Sequence, residues 1–403
     1  MYIERTLQPV LLRAAEEFPA VVLTGPRQSG KTTLLKRLFA GRCSYVSLEP
    51  PDVRASASID PRAFLELNPP PVIFDEIQYA PDLLAYIKER IDARRDRKGQ
   101  YLLTGSQNLL MHQRITESLA GRSAILKLLP LSLYELNGTP QAQLPWDGSQ
   151  GITRSQTSYI DTWRRFVRGC YPELAAEPDR DSALWYSSYV QTYIERDVMS
   201  LRQIGDLTQF QIFLRALAVR SGQLLNLSDV SRDLGLSVNT AKQWLSILEA
   251  TYQVIVLRPY FENVGKRLVK TPKVYLTDVG MLCHLAGIKD IEQAASGPLG
   301  GAIVETAVLS EIVKAAVHRG EEPHVYFWRT SGGVEVDFVV ERGGKLIPVE
   351  VKQTATPRPA MAAGVNAFLA DYAARSDRGW LVCLGDMRLP IAPNVVAVPF
   401  GEL

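Results

Sequence analysis

Residues Gly25, Pro26, Arg27, Gln28, Ser29, Gly30, Lys31 and Thr32 read G-x-x-x-x-G-K-T, and Thr33 follows. An apolar run, Ala20-Val21-Val22-Leu23-Thr24, precedes them, and Leu34, Leu35, Leu38 and Phe39 follow at helical spacing. A strand turning into a helix is the context in which this pattern holds phosphate. Backbone N–H groups around the two glycines can wrap a polyphosphate, and the helix start adds the positive end of its dipole. Lys31 can reach the β/γ-phosphates, and the Thr32 hydroxyl can take a Mg²⁺ position. A second run, Pro71-Val72-Ile73-Phe74-Asp75-Glu76, leads apolar residues into paired carboxylates. Asp75 is suited to hold Mg²⁺ through water, and Glu76 to polarise an attacking water. A third run, Tyr101-Leu102-Leu103-Thr104-Gly105-Ser106, ends in small hydroxyl residues, so Thr104, Ser106 and Gln107 are candidates to sense the γ-phosphate.

The C-terminal part carries a second constellation. Glu305 lies in a helical pattern with Ile303, Ala307, Val308, Leu309, Ile312 and Val313. Strand-like runs follow at Val325–Trp328, at Val334-Glu335-Val336-Asp337-Phe338-Val339-Val340 and at Leu346-Ile347-Pro348-Val349-Glu350-Val351-Lys352, with Gly343-Gly344 between the last two. Strand residues two apart share a face, so Glu350 and Lys352 point the same way. The Gly-Gly turn returns the Asp337 strand alongside them. Two carboxylates and an ammonium thereby converge, and Glu305 joins them if its helix packs there.

The elements that must position these groups alternate. Strand-like runs near 20–24, 44–48, 71–75, 101–104 and 123–129, with helical stretches between, predict a parallel sheet covered by helices over residues 1–135. Residues 137–158, rich in Gly, Pro, Gln, Ser and Thr, read as a long loop. With the helical stretches around Trp163 and Trp185, they form a linker and lid over 136–205. Over 206–275 the pattern becomes helix-turn-helix: Ser228 and Ser237 are capping candidates, Gly235 supplies the turn, and Val230, Leu234, Ala241, Leu245 and Leu248 face inward. Asn239, Thr240, Lys242, Gln243 and Ser246 are left outside. A strand at Val254–Leu257 and a basic loop with Lys266, Arg267, Lys270 and Lys273 complete a winged-helix pattern. Its polar outer face suits bases and phosphates, and it equally suits a lid that touches no DNA. Residues 276–403 hold the second constellation.

Bulk properties narrow the classes. The chain has 403 residues with 46% hydrophobic content, enough for two or three domains. The net charge of +2 confines any nucleic-acid surface to a local patch. Cysteines at 43, 170, 283 and 383 lack C-x-x-C spacing, which argues against a zinc site or disulfide framework and suits a reducing cytoplasm. No apolar run approaches the roughly 18 residues of a membrane span, and the Met1-Tyr2-Ile3-Glu4-Arg5 start is not a signal peptide.

Two resemblances follow from these residues. The D…E-x-K order at Asp337, Glu350 and Lys352 resembles the active site of PD-(D/E)xK nucleases. That likeness implies Mg²⁺ at Asp337 and Glu350, water activation at Lys352, and Glu305 completing the acidic set. Val336 stands where the family name has proline. The whole chain resembles a prokaryotic family of AAA-type ATPases fused to an uncharacterised C-terminal domain. That resemblance rests on Leu23–Thr33, Phe74-Asp75-Glu76, Leu103–Ser106, Ser118-Leu119-Ala120-Gly121-Arg122, Tyr193-Ile194-Glu195-Arg196-Asp197 and the Asp337/Glu350/Lys352 motif. It implies an α/β P-loop NTPase domain followed by a winged helix and a nuclease-like α/β domain, with ATP as ligand. It also implies a homo-oligomeric ring, such as a hexamer. Arg122 and Arg196 are the candidate arginines for the γ-phosphate, in cis or from a neighbour. Three functions fit: a Mg²⁺-dependent ATPase that remodels or translocates on DNA, an ATP-gated DNA nuclease, or a nucleotide switch that holds a protein partner.

Overall fold

The computed structural model describes residues 2–105, 118–148, 157–193, 206–262 and 271–403. Its N-terminal part comprises α1 (Gln8–Glu17), β1 (Ala20–Thr24), α2 (Lys31–Leu38), β2 (Ser44–Ser47), α3 (Pro51–Ile59), α4 (Pro61–Leu67), β3 (Val72–Asp75), α5 (Leu83–Ala93), β4 (Tyr101–Gly105) and β5 (Ser123–Lys127). The strands pair in the order β2-β3-β4-β1-β5, all parallel. β1, β3 and β4 are buried throughout, which is why each reads as an unbroken apolar run rather than an alternation. One core covers each face of the sheet: Phe74, Ile87 and Leu103 lie on one side, Leu23, Leu34 and Leu102 on the other. Because the strands run one way, the loops after β1, β3 and β4 emerge at the same edge, where ligands of open α/β sheets bind.

A short α6 (Leu133–Leu136) follows, closed by a capping box between Ser132 and Glu135. The long loop expected over 137–158 is tied down as far as it is described, because its groups find partners on both flanking regions. The Thr6 hydroxyl donates to the Pro140 carbonyl (2.6 Å), the Trp146 ring lies 6.1 Å from that of Trp380, and Asp147 pairs with Arg342. Next come α7 (Tyr159–Arg168), α8 (Pro172–Ala176), α9 (Ser182–Tyr193), α10 (Leu207–Ala218), α11 (Leu227–Leu234) and α12 (Val238–Ala250). An antiparallel pair, β6 (Val254–Leu257) and β7 (Lys273–Leu276), completes this part. Gly235 ends α11 in the left-handed region at φ 66° and Ser237 caps α12. The cap of α11 is Asn226, not Ser228, because the helix begins at Leu227 and the Asn226 side chain accepts from the N–H groups of Ser228 and Asp229. Trp244 and Ile247 fill the core, while Leu234 and Leu245 are only half-buried.

The C-terminal part holds α13 (Val279–Leu285), α14 (Ile291–Ser296), α15 (Gly300–Val317), β8 (Val325–Arg329), β9 (Glu335–Arg342), β10 (Lys345–Lys352), α16 (Ala363–Asp371), β11 (Gly379–Cys383), β12 (Leu389–Ala392) and β13 (Val395–Pro399). Its six strands pair as β12-β13-β11-β10-β9-β8. β8, β9 and β10 are antiparallel, and β10, β11 and β13 run parallel. The β9–β10 turn is Gly343-Gly344 with φ 56° and 78°, the double positive φ that a two-residue turn matching strand twist demands. One hydrophobic core runs from Leu129 through α7, α10 and α15 to Leu403, so the helical middle and the C-terminal sheet pack together. Among the described residues no helix is long and apolar enough to cross a membrane.

Candidate functional site

The loop after β1 is shaped to leave its centre open. Gly25 has φ 147°, and a Cβ there would lie 2.1 Å from the Leu128 carbonyl oxygen. Only glycine lets the loop run this close to β5. Gly30, at φ 93°, starts α2, whose first residues are Lys31 and Thr32. The Lys31 ammonium folds back onto the carbonyls of Gly25 (3.0 Å) and Pro26 (2.8 Å). The Thr32 hydroxyl lies 2.9 and 3.1 Å from the two Asp75 oxygens. Hydroxyl and carboxylate side by side form a hard-oxygen donor set, which fits a divalent cation carried in with a polyphosphate.

Around Asp75, Tyr45 donates to Oδ2 (2.7 Å) and Thr104 donates to Oδ1. Burial, with the Asp75 carboxylate next to it, pushes the Tyr45 phenol far above its ordinary pKa. Thr104 also accepts the Glu76 N–H at 3.1 Å. Thr104, one of the three sensor candidates, therefore positions the acidic pair; Ser106 and Gln107 lie outside the described residues. Glu76 takes φ 59°, a left-handed conformation rare outside glycine and a kind of strain found at functional sites. Gln78 donates to its carboxylate.

Beside the loop lies a cavity of about 760 Å³, within the usual size of a small-molecule site. Arg27, Gln28, Lys31 to Thr33 and Glu76 line one wall; Glu173 in α8, Glu177 just after it, and Tyr189 and Thr192 on α9, line the other. Sequence reasoning missed that second wall, since those residues lie some 140 or more positions from the loop and carry no motif. Tyr45 sat within an expected strand but carried no functional signal.

Behind the loop lies a buried ionic cluster, also unforeseen. Arg5 donates to the carbonyls of Ser29 (2.7 Å) and Leu129 (2.6 Å), and its Nε lies 3.1 Å from Glu135. Glu135 accepts the N–H groups of Thr6 (2.8 Å) and Ser132 (2.9 Å). His318, at the end of α15, accepts the Leu129 N–H at Nε2 (3.2 Å) and turns Nδ1 toward Glu135 (3.3 Å). Burial opposes the Glu135 charge, but His318, Arg5 and the backbone donors hold its carboxyl far below the usual range.

Arg122 precedes β5 at the end opposite the loop and makes a two-pronged pair with Asp92 (2.7 and 2.9 Å). The cis reading of Arg122 is thereby corrected, because the sheet itself separates it from the loop of its own chain. Arg196, Lys266, Arg267 and Lys270 lie outside the described residues. Asn239, Lys242 and Gln243 are exposed on α12 and Thr240 is half-buried. Lys273, expected in a basic surface loop, is buried in β7.

The second constellation assembles in one place. The pairing of Phe338 with Val349 sets Asp337 beside Glu350, and Asp337 Oδ2 accepts the Val351 N–H at 2.8 Å. Lys352 Nζ lies 2.5 Å from Glu350 Oε1. Glu305 joins from α15 and accepts from Tyr275. Burial first, then the Asp337 charge, push both Glu305 and Glu350 up to about 7. Among the described residues no three His, Cys, Asp or Glu side chains are arranged to hold a metal ion. Lys273 stands in the way, 3.2 Å from Glu305 and 2.5 Å from Glu335. As folded, this set does not fit a metal.

The parallel sheet, its loop and the Thr32–Asp75 pair define the N-terminal part as a P-loop ATPase domain of the AAA type. The family model described as AAA domain matches residues 17–137. Models described as domains of unknown function match residues 160–292 (DUF8612) and 300–403 (DUF4143). The chain is 32% identical to the uncharacterized proteins Rv2008c of Mycobacterium tuberculosis and Mb2031c of Mycobacterium bovis, over 98% of its own length and 82% of theirs. It belongs to the same family as these two proteins. Among solved structures, the Walker-type ATPase PABY2304 of Pyrococcus abyssi is similar at 17% identity and a TM-score of 0.43, over 69% of this chain and 94% of that one. That overall score adds nothing to the assignment, which rests on the site and the sequence matches.

Proposed function

We propose that the chain is a Mg²⁺-dependent ATPase that works on DNA, remodelling it or moving along it, as a ring of identical subunits. The single observation that carries this reading is the state of Lys31. Its ammonium rests on two backbone carbonyls at the edge of a cavity of nucleotide size. Phosphate oxygens are stronger partners for that charge than neutral carbonyls, so the lysine can exchange one set for the other. Thr32 and Asp75 supply the oxygens for Mg²⁺, which when bound neutralises the β- and γ-phosphates. Glu76, held by Gln78, is the carboxylate that orients the attacking water. Arg122, or Arg196, serves a neighbour's γ-phosphate across a subunit boundary, which gives the ring its purpose. The exposed row Asn239, Lys242 and Gln243 with Thr240, together with Lys266 and Arg267, forms the DNA face.

The test is ATP turnover without DNA and with single-stranded, duplex and four-way DNA, alongside mass measurement with and without nucleotide. Turnover stimulated by one of these DNAs, in an assembly larger than a monomer, is the expected result. If DNA changes neither turnover nor mass, the switch that holds a protein partner replaces this reading. Arg122→Ala should lower turnover while nucleotide affinity stays the same, and unchanged turnover removes the neighbour's arginine. Cleavage by the C-terminal constellation is a weaker reading, because Lys273 occupies the acidic set.

A further inference from the structure

β7 delivers two side chains to Glu305 from one strand face: Lys273, 3.2 Å away, and Tyr275, which donates to it. The strand is fixed on both sides. Lys273 pairs with Leu257 of β6 and bridges Leu224, and the Pro272 carbonyl accepts the Leu225 N–H at 2.8 Å. The Lys273 side chain is only 6% exposed, and Glu335 is its second partner at 2.5 Å. Four carboxylates (Glu305, Glu335, Asp337 and Glu350) thus share two ammonium groups, Lys273 and Lys352, and Glu335 also pairs with the Arg329 guanidinium at 3.5 Å. Glu350 Oε2 is buried without a hydrogen-bond partner among the described residues. Its charged neighbours are Asp337, Lys352 and Glu305. The cluster therefore holds more carboxyl groups than cations, and one carboxyl oxygen in it lacks a hydrogen-bond partner among the described residues.

We propose that Lys273 is the resident cation of this cluster: it takes the place a divalent metal holds in a nuclease of this shape and thereby locks the β6–β7 hairpin onto the C-terminal sheet. The site is closed to metal while β7 stays paired, and it becomes a divalent-cation site when the lysine charge is removed. This inference does not depend on ATP turnover or on DNA.

The experiment is a Mn²⁺ titration of nucleotide-free full-length protein, read by the electron paramagnetic resonance of free Mn²⁺. Wild type should show no site that is lost on Asp337→Asn. Lys273→Met should gain one Mn²⁺ per chain, binding at least about tenfold tighter than anything in wild type, and Lys273→Met with Asp337→Asn should lose it again. Wild type that binds Mn²⁺ through Asp337 as tightly as Lys273→Met overturns the proposal, as does a folded Lys273→Met protein that binds none. A measurement on wild type alone covers the case in which the variant does not fold. Amine acetylation read by mass spectrometry should modify Lys352, whose side chain is 36% exposed, well before Lys273, with and without millimolar Mn²⁺. Mn²⁺-induced labelling of Lys273 also overturns it.

Discussion

Two pockets in this chain each hold a buried lysine: one donates to backbone carbonyls of its own loop, the other to carboxylates from other elements. Lys31 leans on neutral carbonyls at 3.0 and 2.8 Å. Lys273 leans on the carboxylates of Glu305 and Glu335 at 3.2 and 2.5 Å. A neutral acceptor is given up readily when an anionic ligand arrives. A carboxylate pair in a poorly hydrated site is not, because separating opposite charges there costs far more than in water. The second arrangement already contains its counter-charge. The number of charges in a pocket therefore says less about ligand binding than whether those charges are engaged with exchangeable partners.

Exchanging the two lysines in turn is the hardest test of that contrast. Lys31→Ala should lower ATP turnover by at least about 10²-fold, the scale of losing a positioned transition-state charge, with little change in the melting temperature of the ligand-free protein. Lys273→Met should do the reverse to stability: removing one partner of a buried ion cluster costs about 3–5 kcal/mol, read by denaturant unfolding in the absence of metal. Turnover that survives in Lys31→Ala, or a Lys273→Met protein as stable as wild type, breaks the comparison.

How much of each pocket could be read from sequence follows from chain distance. The stretch from Gly25 to Thr33 is contiguous, a loop running into the start of α2, and Asp75 and Glu76 end a buried strand of the same parallel sheet, so composition and order locate them. The Asp337–Glu350–Lys352 group was legible because a two-residue Gly-Gly turn makes it a local hairpin. Lys273 was not. It sits next to Val274, Tyr275 and Leu276, but the nearby lysines and arginines made it look like part of a basic loop, and its partners lie 32 and 62 positions away. The same holds for Arg5, Glu135 and His318, which meet only once the N-terminal segment, α6 and the end of α15 are packed. Asn226 took the cap expected of Ser228 because the helix starts earlier than the Ser-Asp pair suggests.

The cluster behind the P-loop sharpens the contrast, since there a buried ion group supports a site without entering it. Glu135→Gln should cost about 3–5 kcal/mol at pH 7, as Arg5 is left as an unmatched buried charge. Nucleotide affinity should fall with it, because Arg5 also braces the Ser29 carbonyl. The sign with pH is set by the depressed carboxyl. A group held below its ordinary value of 4.5 gives its full stabilisation above that pH and loses it on acidification. The stability gap between wild type and Glu135→Gln should therefore narrow as the pH falls below 4.5. A gap that keeps widening below pH 4.5 would contradict the assignment of Glu135 as the ionised centre.

The smallest effects come from a matched pair of phenols, and they isolate burial from chemistry. Tyr275 donates to Glu305 and is 0% exposed; Tyr45 donates to Asp75 and is 37% exposed. Replacing either with phenylalanine deletes the same hydroxyl from a carboxylate. In Tyr275→Phe the vacated place is far less open to water, so the loss should be about 1–3 kcal/mol, the range for a buried acceptor deprived of its donor. In Tyr45→Phe water reaches Asp75, and the loss should stay below about 1 kcal/mol. Chemical unfolding of the two variants side by side checks the order. Equal losses would mean that the C-terminal cluster is as open to solvent as the nucleotide pocket.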